Sequence, residues 1–259
     1  MQNNTITKIT RNYTYRALAL WDRVFGNINP VVILAYHALE ESGRFSTKIS
    51  DFHEQMKIIL KTHKPVSLRA LREKILKKQK FDYPVFVVTF DDGYKSVMKS
   101  VSLCQKYAIM PTLTLIGNPQ SAQNIKQVQQ FLSKDNISKL VKLGWEVGSH
   151  TSTHQILTSF SGKALKRELV NPKKYKYISF PLGRYDELVV EEARNAGYKV
   201  GLTMDDGIVG GKSDLMKLPR VGVDATHELK DFHTLFSPSV VRVRYFLKNS
   251  LIKSFFINI

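Results

Sequence analysis

The sequence predicts an α/β chain in which parallel strands form a sheet or barrel covered by helices. Short β-branched and aromatic runs alternate with segments of helical period. The length of 259 residues suits one large α/β domain. No internal repeat, low-complexity tract or Pro/Gly/Ser linker divides it.

Val31 to Tyr36 reads as a buried strand, followed by a loop rich in Glu, Ser and Gly. From Asp51, the apolar residues Phe52, Met56, Ile59 and Leu60 recur at helical spacing, with Asp51 or Ser50 as N-cap. Ser67 then caps a second helix running to about Lys78. Pro84 to Phe90 is a strand that ends in Asp91-Asp92-Gly93. A helix near 95–107, a strand at 112–116, one or two helices over 124–143 and a short strand at Trp145–Ser149 follow. Tyr177–Phe180 is a strand closed by Pro181-Leu182-Gly183, residues 186–196 are helical, and Tyr198–Thr203 is extended. The expected division is a helical lead-in over 1–29, one domain over 30–237, and a basic amphipathic tail over 238–259.

Composition narrows the function. Hydrophobic residues at 43% exclude wholesale disorder. The single cysteine, Cys104, excludes an internal disulfide framework and a Cys-rich zinc site, so His and carboxylates must hold any metal. No run of 18 apolar residues occurs. The start of the chain lacks a secretory pattern, because the short patch Ala17–Trp21 is interrupted by Asp22 and Arg23, and the expected location is the cytoplasm. The net charge of +17 is unevenly spread. Residues 57–80 carry nine Lys/Arg against Glu73, 163–176 carry six against Glu168, and no acid follows Asp231. Such runs form solvated helix faces or attract an anionic partner. No nucleic-acid-binding signature accompanies them, which argues against nucleic acid.

Three segments carry chemistry, each just after a predicted strand, where the strands of a β/α barrel converge on one active face. In Thr89-Phe90-Asp91-Asp92-Gly93-Tyr94, adjacent carboxylates can divide metal binding and proton transfer, although Asp-Gly also simply makes a turn. In Ser149-His150-Thr151-Ser152-Thr153-His154, histidines four apart face one side of a helical turn and can grip one metal, although such pairs also serve surface or core roles. Joined by Asp92 they make a His₂Asp set with open positions, which suits a catalytic divalent metal. The third segment is Phe180-Pro181-Leu182-Gly183-Arg184-Tyr185, whose Pro and Gly signal a tight turn.

In this order and spacing the segments resemble the polysaccharide deacetylases of carbohydrate esterase family 4, the NodB-homology fold, over residues 30–225. The Thr-Phe-Asp-Asp-Gly motif is matched in full at 89–93 and the His-Ser/Thr-x-x-His motif at 150–154. The Arg-x-Pro-x-Gly motif is matched in part at 179–183, with Ser179 where arginine is expected. Leu34-Ala35-Tyr36-His37, Phe52 to Leu60 and Leu218-Pro219-Arg220 look like the poly-N-acetylglucosamine deacetylase branch.

The resemblance implies an irregular or incomplete (β/α) barrel that removes N-acetyl groups from an amino sugar with one divalent metal, often zinc. It makes Asp92, His150 and His154 the ligands and Asp91 the general base. Tyr94, Pro181 and Gly183 become the substrate or oxyanion contacts. Most members place the general acid on a histidine near the C-terminal end, where His227 and His233 lie here without the motif. In the branch named above a histidine after the first strand fills that role, which selects His37. With Ser179 in the arginine's place, Arg184 or Arg220 is expected to orient the base.

The expected substrate is an N-acetylated glycan or a lipid-linked sugar. The tail adds an expected contact with an anionic membrane, its apolar Val243, Phe246, Leu247, Leu251, Phe255 and Ile257 favouring one side and Arg244, Lys248 and Lys253 reaching phosphates. Two other classes compete: a catalytically decayed carbohydrate-binding protein of the same fold, and a basic membrane or nucleic-acid interaction protein. The presence of Asp91, Asp92, His150 and His154 together argues against the decayed form. Asp205-Asp206-Gly207 reads as a turn, and His53 and His63 as surface residues.

Overall fold

The computed structural model describes residues 2–43, 45–122, 125 and 130–249. Two six-residue strands, β1 (Val31–Tyr36) and β3 (Val85–Phe90), run parallel in register from Val31 opposite Val85 to Tyr36 opposite Phe90. Every residue of both is buried, as continuous apolar runs require when a parallel strand is covered on both faces. The two-residue period divides them. Val31, Ile33, Val85 and Val87 face an inner cluster with Tyr177, Val200, Leu202 and Leu218. Val32, Leu34, Tyr36, Phe86, Val88 and Phe90 face outward onto Phe52, Met56 and Ile59 of helix α2 (Ile49–Ile59).

The remaining strands are β2 (Lys64–Pro65), β4 (Thr112–Leu115), β5 (Glu146–Ser149), β6 (Tyr177–Ser179), β7 (Val200–Leu202) and β8 (Val221–Gly222). The sheet order is β7-β6-β5-β4-β3-β1-β8, with every pairing parallel. Short β2 pairs with the lower half of β3. The sheet curls back on itself. Leu218 bridges to Leu202 through two backbone bonds of 2.9 Å, and three residues later Val221 lies opposite Leu34 of β1. Segment 218–222 therefore hands the sheet from β7 to β1 and completes an irregular (β/α) barrel.

Helix α3 (Leu68–Leu76) starts where expected, with the Ser67 hydroxyl accepting from the Ala70 N–H. Its Leu68, Leu71 and Ile75 join the inner cluster, and its first turn meets Glu146 at the start of β5, which places it at the N-terminal ends of the strands. The opposite rim is left for the site. Three local expectations change. Helix α2 begins one residue before Ser50, with Lys48 rather than Ser50 or Asp51 at the cap. The helix over 95–107 splits into a 3₁₀ segment (Lys95–Ser100) and helix α4 (Val101–Lys106). At the joint the Ser100 hydroxyl donates to the Val97 carbonyl at 2.7 Å, in competition with the backbone. Of the expected helix or helices over 124–143, the described residues show α5 (Lys134–Lys142), opened by a Ser133–Asn136 capping box; 123–124 and 126–129 lie outside them. Helices α6 (Gly162–Glu168) and α7 (Glu187–Asn195) cover the β5–β7 side.

Helix α1 (Gln2–Val24) and helix α8 (Pro238–Asn249) pack together on the β1–β8 flank. Asp22, 3% exposed, accepts from the Ser237 and Ser239 hydroxyls and from the Ser239 N–H at the start of α8. Arg16 grips Asp231 with two bonds of 2.5 and 2.8 Å. Here the tail differs from expectation. Arg244 pairs with Asp206, and Lys248 reaches Asp205 at 3.4 Å, so these two cations turn toward the barrel while Phe246 is exposed. The Asp205-Asp206 pair, expected as a turn, instead lies in an irregular segment and seats α8. Leu251, Lys253, Phe255 and Ile257 lie outside the described residues.

His63 is also not a surface residue. It is 3% exposed, with Nε2 bonded to the Asn29 carbonyl at 2.8 Å and Nδ1 to the Thr62 hydroxyl at 2.7 Å. Burial pushes its pKa below the usual histidine value, despite the Asn29 bond. The unfolded chain then binds more protons than the folded one below about pH 6.5, so His63 costs stability as pH falls through that region. We expect His63→Gln to flatten the decline of the melting temperature between about pH 6.5 and 5. Identical declines in both proteins would remove His63 from that dependence.

Candidate active site

Inward parity carries the chemistry to the rim. After Val85, Val87 and Thr89, the next inward position is Asp91, and after Val31, Ile33 and Ala35 it is His37. The Asp91 N–H donates to the Tyr36 carbonyl at 2.8 Å, so Asp91 and His37 stand side by side on neighbouring strand ends. Asp91 is 2% exposed and held on all sides. Its Oδ1 accepts from the Thr114 hydroxyl at 2.5 Å and from Arg220 Nη1 at 2.9 Å. Its Oδ2 accepts from Arg220 Nη2 at 2.7 Å and from the Ser179 hydroxyl at 3.0 Å. Burial alone would raise the pKa of this carboxyl, but the charge of Arg220, with His150, the Arg220 hydrogen bonds and His37, outweighs it and holds Asp91 far below the usual carboxylate range.

Arg220 itself is 3% exposed. Its Nε donates to the Thr203 carbonyl at 3.2 Å and its Nη1 also to the Thr89 hydroxyl at 2.9 Å. Of the two arginines expected beside the base, Arg220 is the one present there, and Arg184 is exposed on its loop. Ser179 explains how. Its small hydroxyl accepts from Arg220 Nη2 at 2.7 Å, occupying the space an arginine at 179 would need while the guanidinium enters from the segment between β7 and β8. The fork geometry makes the contact bidentate, which lysine cannot reproduce.

The second carboxylate leaves the strand. Asp92 has φ +68° and is followed by Gly93 at φ +84°, where a Cβ would lie 2.8 Å from Leu115 Cδ2. This left-handed step turns Asp92 toward the loop after β5. His150 and His154 lie on that loop and not on a helical turn, which corrects the expected local structure. Thr151 at φ +66° and His154 at φ +57° curl it, so imidazoles four residues apart still converge, with ring centroids 4.7 Å apart. The His154 N–H donates to the Thr151 hydroxyl at 3.1 Å, and Glu168 at the end of α6 takes the Thr153 hydroxyl at 2.6 Å and the Thr153 N–H at 3.0 Å. Left-handed non-glycine residues are costly and persist where surrounding bonds over-determine them.

Asp92, His150 and His154 are buried, and one ligand atom from each lies within 4.8 Å of the others. His150 Nδ1 donates to the Ser179 carbonyl at 2.8 Å, so Nδ1 carries the proton and the lone pair of Nε2, 3.4 Å from Asp92 Oδ1, is the one available to a metal. His154 Nε2 lies 3.6 Å from the same oxygen. Burial pushes the His150 pKa down to about 4 and keeps it neutral, as a ligand must be. Asp92 Oδ1 is buried without a hydrogen-bond partner among the described residues. An orphaned buried carboxylate oxygen facing two imidazoles is costly unless a cation completes it. The three residues fit a divalent metal.

Around this centre, the Tyr94 hydroxyl lies against the Asp92 carboxylate, and burial with that charge raises its pKa. The backbone bonds that flank Tyr94, Lys95 N–H to Gln130 at 2.7 Å and Leu132 N–H to Gly93 at 2.9 Å, do not engage its own N–H. Pro181 is buried, and Leu182 (φ +56°) and Gly183 (φ +65°) turn the loop so tightly that a Cβ at 183 would meet Met204 Cβ at 2.6 Å. His37 is half-buried, its ring 5.6 Å from that of Phe45, and its Nδ1 has no hydrogen-bond partner among the described residues. His227 instead pairs with Asp224 at 3.2 Å, and His233 lines a cavity beneath α1.

A buried Asp-His-His triad that could hold a metal, beside an arginine-clamped aspartate on the C-terminal rim of an irregular barrel, is an arrangement suited to metal-assisted hydrolysis. The family model for polysaccharide deacetylase matches residues 78–201, and the comparisons support a deacetylase hydrolase. YxkH of Bacillus subtilis (strain 168), which carries the polysaccharide deacetylase name, is 25% identical over 207 residues, covering 74% of this chain and 70% of its own. The poly-beta-1,6-N-acetyl-D-glucosamine N-deacetylase of Staphylococcus aureus (strain MSSA476) is 25% identical over 210 residues, covering 73% and 71%. The fold is shared with the Streptococcus pyogenes deacetylase PplD, solved in complex with acetate, at a TM-score of 0.68 and 19% identity over 80% of this chain and 98% of that one.

Proposed function

We propose that the protein removes N-acetyl groups from N-acetylglucosamine-type residues of a polysaccharide or lipid-linked glycan, with one divalent metal, zinc being the expected one. The observation that carries this reading is the orphaned Asp92 Oδ1 facing His150 and His154 beside an Asp91 kept ionised by Arg220. The S. aureus relative supports the sugar class.

Asp92, His150 and His154 would hold the metal, which when bound polarises an amide carbonyl and lowers the pKa of water at the site. Asp91 is the general base. Arg220, Thr114 and Ser179 fix both its oxygens and hold it charged across the working pH range, so it is ready to take a proton from the attacking water. His37, one strand over, delivers a proton to the leaving amine, a step without which the amine is a poor leaving group. The backbone N–H of Tyr94 would meet the oxyanion, and Pro181 and Gly183 would shape the wall that receives the acetamido group. Arg220 acts only through Asp91 and is a positioning residue.

His37→Ala is expected to lower kcat by about 10²-fold, leave metal content unchanged and flatten the alkaline limb of the pH–rate profile. If His233→Ala does this and His37→Ala does not, the acid comes from elsewhere. The substrate class is tested by acetate release from β-1,6-linked and β-1,4-linked N-acetylglucosamine oligomers and from a lipid-linked N-acetylated sugar. Release from at least one is expected. No release from any, by metal-replete and folded protein, would contradict the proposal.

A further inference from the structure

Helix α1 presents two opposite faces. Tyr15, Ala19 and Asp22, at helical spacing, turn toward α8 and the barrel; Ala19 and Asp22 are buried. The other face carries Tyr13, Leu20, Trp21 and Val24, and the chain continues into Phe25 and Ile28. Leu20, Trp21, Val24 and Phe25 are each 57–68% exposed, and the Trp21 and Phe25 rings contact each other at 4.1 Å. Scattered exposed apolar residues are ordinary, but a contiguous stripe along one helix is an interaction surface.

Its surroundings choose the partner. Arg23 is exposed at the margin of the stripe, and with Lys61 and Ile28 it lines a cavity of about 550 Å³ at the helix's C-terminal end, where Lys230 is already paired with Glu228. The acid nearest this rim within the helix, Asp22, is buried and spent on the start of α8. An apolar stripe rich in Trp and Tyr, edged by cations on a chain of net charge +17, matches an anionic bilayer surface, where aromatic rings sit among headgroups and cations reach phosphates. Among the described residues no helix is long and apolar enough to cross a membrane, so the helix would lie on the surface.

We propose that the outward face of α1, with Arg23 and Lys61, docks the protein on an anionic lipid surface. This relocates the membrane contact expected of the C-terminal tail, because Arg244 and Lys248 are engaged by Asp206 and Asp205. The helix runs along the barrel flank from the catalytic end, where Arg11 and Tyr15 share a cavity with Thr226 and His227, to Asn29 at the start of β1. A bilayer on this flank leaves the rim that carries the metal site open beside the membrane surface.

The test is co-sedimentation of the full chain with vesicles of mixed phosphatidylglycerol and phosphatidylcholine and with vesicles of phosphatidylcholine alone. The full chain is expected to bind the anionic vesicles, with weakening by salt, and a Leu20→Glu, Trp21→Glu variant to bind at least about 10-fold less. Both side chains are exposed, so the variant should keep the wild-type melting temperature and metal content. Arg23→Glu, Lys61→Glu should lose the preference for anionic vesicles. Equal binding by wild type and the Leu20/Trp21 variant would overturn the proposal, as would equal binding to both vesicle types. Absence of vesicle binding with a dimer that the Leu20/Trp21 substitutions dissociate would assign the stripe to a second copy. Loss of binding on removing 250–259 alone would assign the contact to the tail. Either result overturns the role of α1.

Discussion

Asp91→Asn is expected to retain the metal and to lower acetate release by about 10²–10⁴-fold, the usual cost of removing a general base. Asparagine keeps the volume and can accept from Thr114 or Arg220 through its one oxygen, but it cannot take a proton from water. The substitution also leaves Arg220 without its counter-charge in a site where both side chains are at most 3% exposed. A buried charge stripped of its partner costs about 3–5 kcal/mol. Thr89, Ser179 and the Thr203 carbonyl still accept from the guanidinium and soften that cost. Rates should therefore be normalised to the folded fraction, measured by circular dichroism in the assay buffer. Near-normal turnover by folded Asp91→Asn would place the base elsewhere.

Arg220→Met is expected to be the most destabilising single change at the site. It removes both charged bonds to Asp91 and leaves a carboxylate buried among Thr114, Ser179 and the neutral His150. The cost of about 3–5 kcal/mol corresponds to a fall of roughly 6–20 °C in melting temperature for a chain of this size. A pH signature separates this from lost packing. Arg220 depresses the Asp91 pKa in the folded state, so the stability the pair supplies is present above the unfolded value of about 3.8 and disappears as pH falls below it. Without Arg220, burial raises that pKa, so the loss on the acid side shrinks and, once the folded value exceeds the unfolded one, reverses into a gain of stability as pH falls. The acid limb of the rate profile should move up with that pKa, because Asp91 is then protonated over more of the range. Arg220→Lys should recover part of the stability but not the two-point grip. Arg184→Met, on an exposed loop, should stay within about 0.5 kcal/mol of wild type. Wild-type stability and an unshifted acid limb in Arg220→Met would show that the clamp is dispensable.

The barrel was legible because strands buried on both faces write themselves as uninterrupted apolar runs, as Val31–Tyr36 and Val85–Phe90 do. The candidate triad was legible because Asp92, His150 and His154 sit in short segments that match the deacetylase motifs in order and spacing, and the structure brings the three together. The local geometry was not. Histidines four apart read as one face of a helix, yet a loop with left-handed Thr151 and His154 produces the same convergence, and periodicity cannot distinguish the two. Arg220 could be nominated but not chosen, since its partner is 129 residues away and only closure of the barrel through Leu218 brings them together. Thr114 could have been found: in Thr112-Leu113-Thr114-Leu115, hydroxyls alternate with leucines on a strand, and both threonines are fully buried. Buried hydroxyls on the inward parity need acceptors, and Asp91 is one. The fate of Arg244 and Lys248 was hidden because an amphipathic pattern says which residues share a side, not whether lipid or two aspartates meet them.

The most direct measurement is the metal content and acetate release of the full chain and of a His150→Ala, His154→Ala variant, each before and after dialysis against a chelator. About one divalent ion per wild-type chain is expected, with at most about a tenth of that in the variant, and acetate release that the chelator abolishes and added metal restores. Full metal retention by the double variant, or release of acetate that persists in metal-free protein, would contradict it.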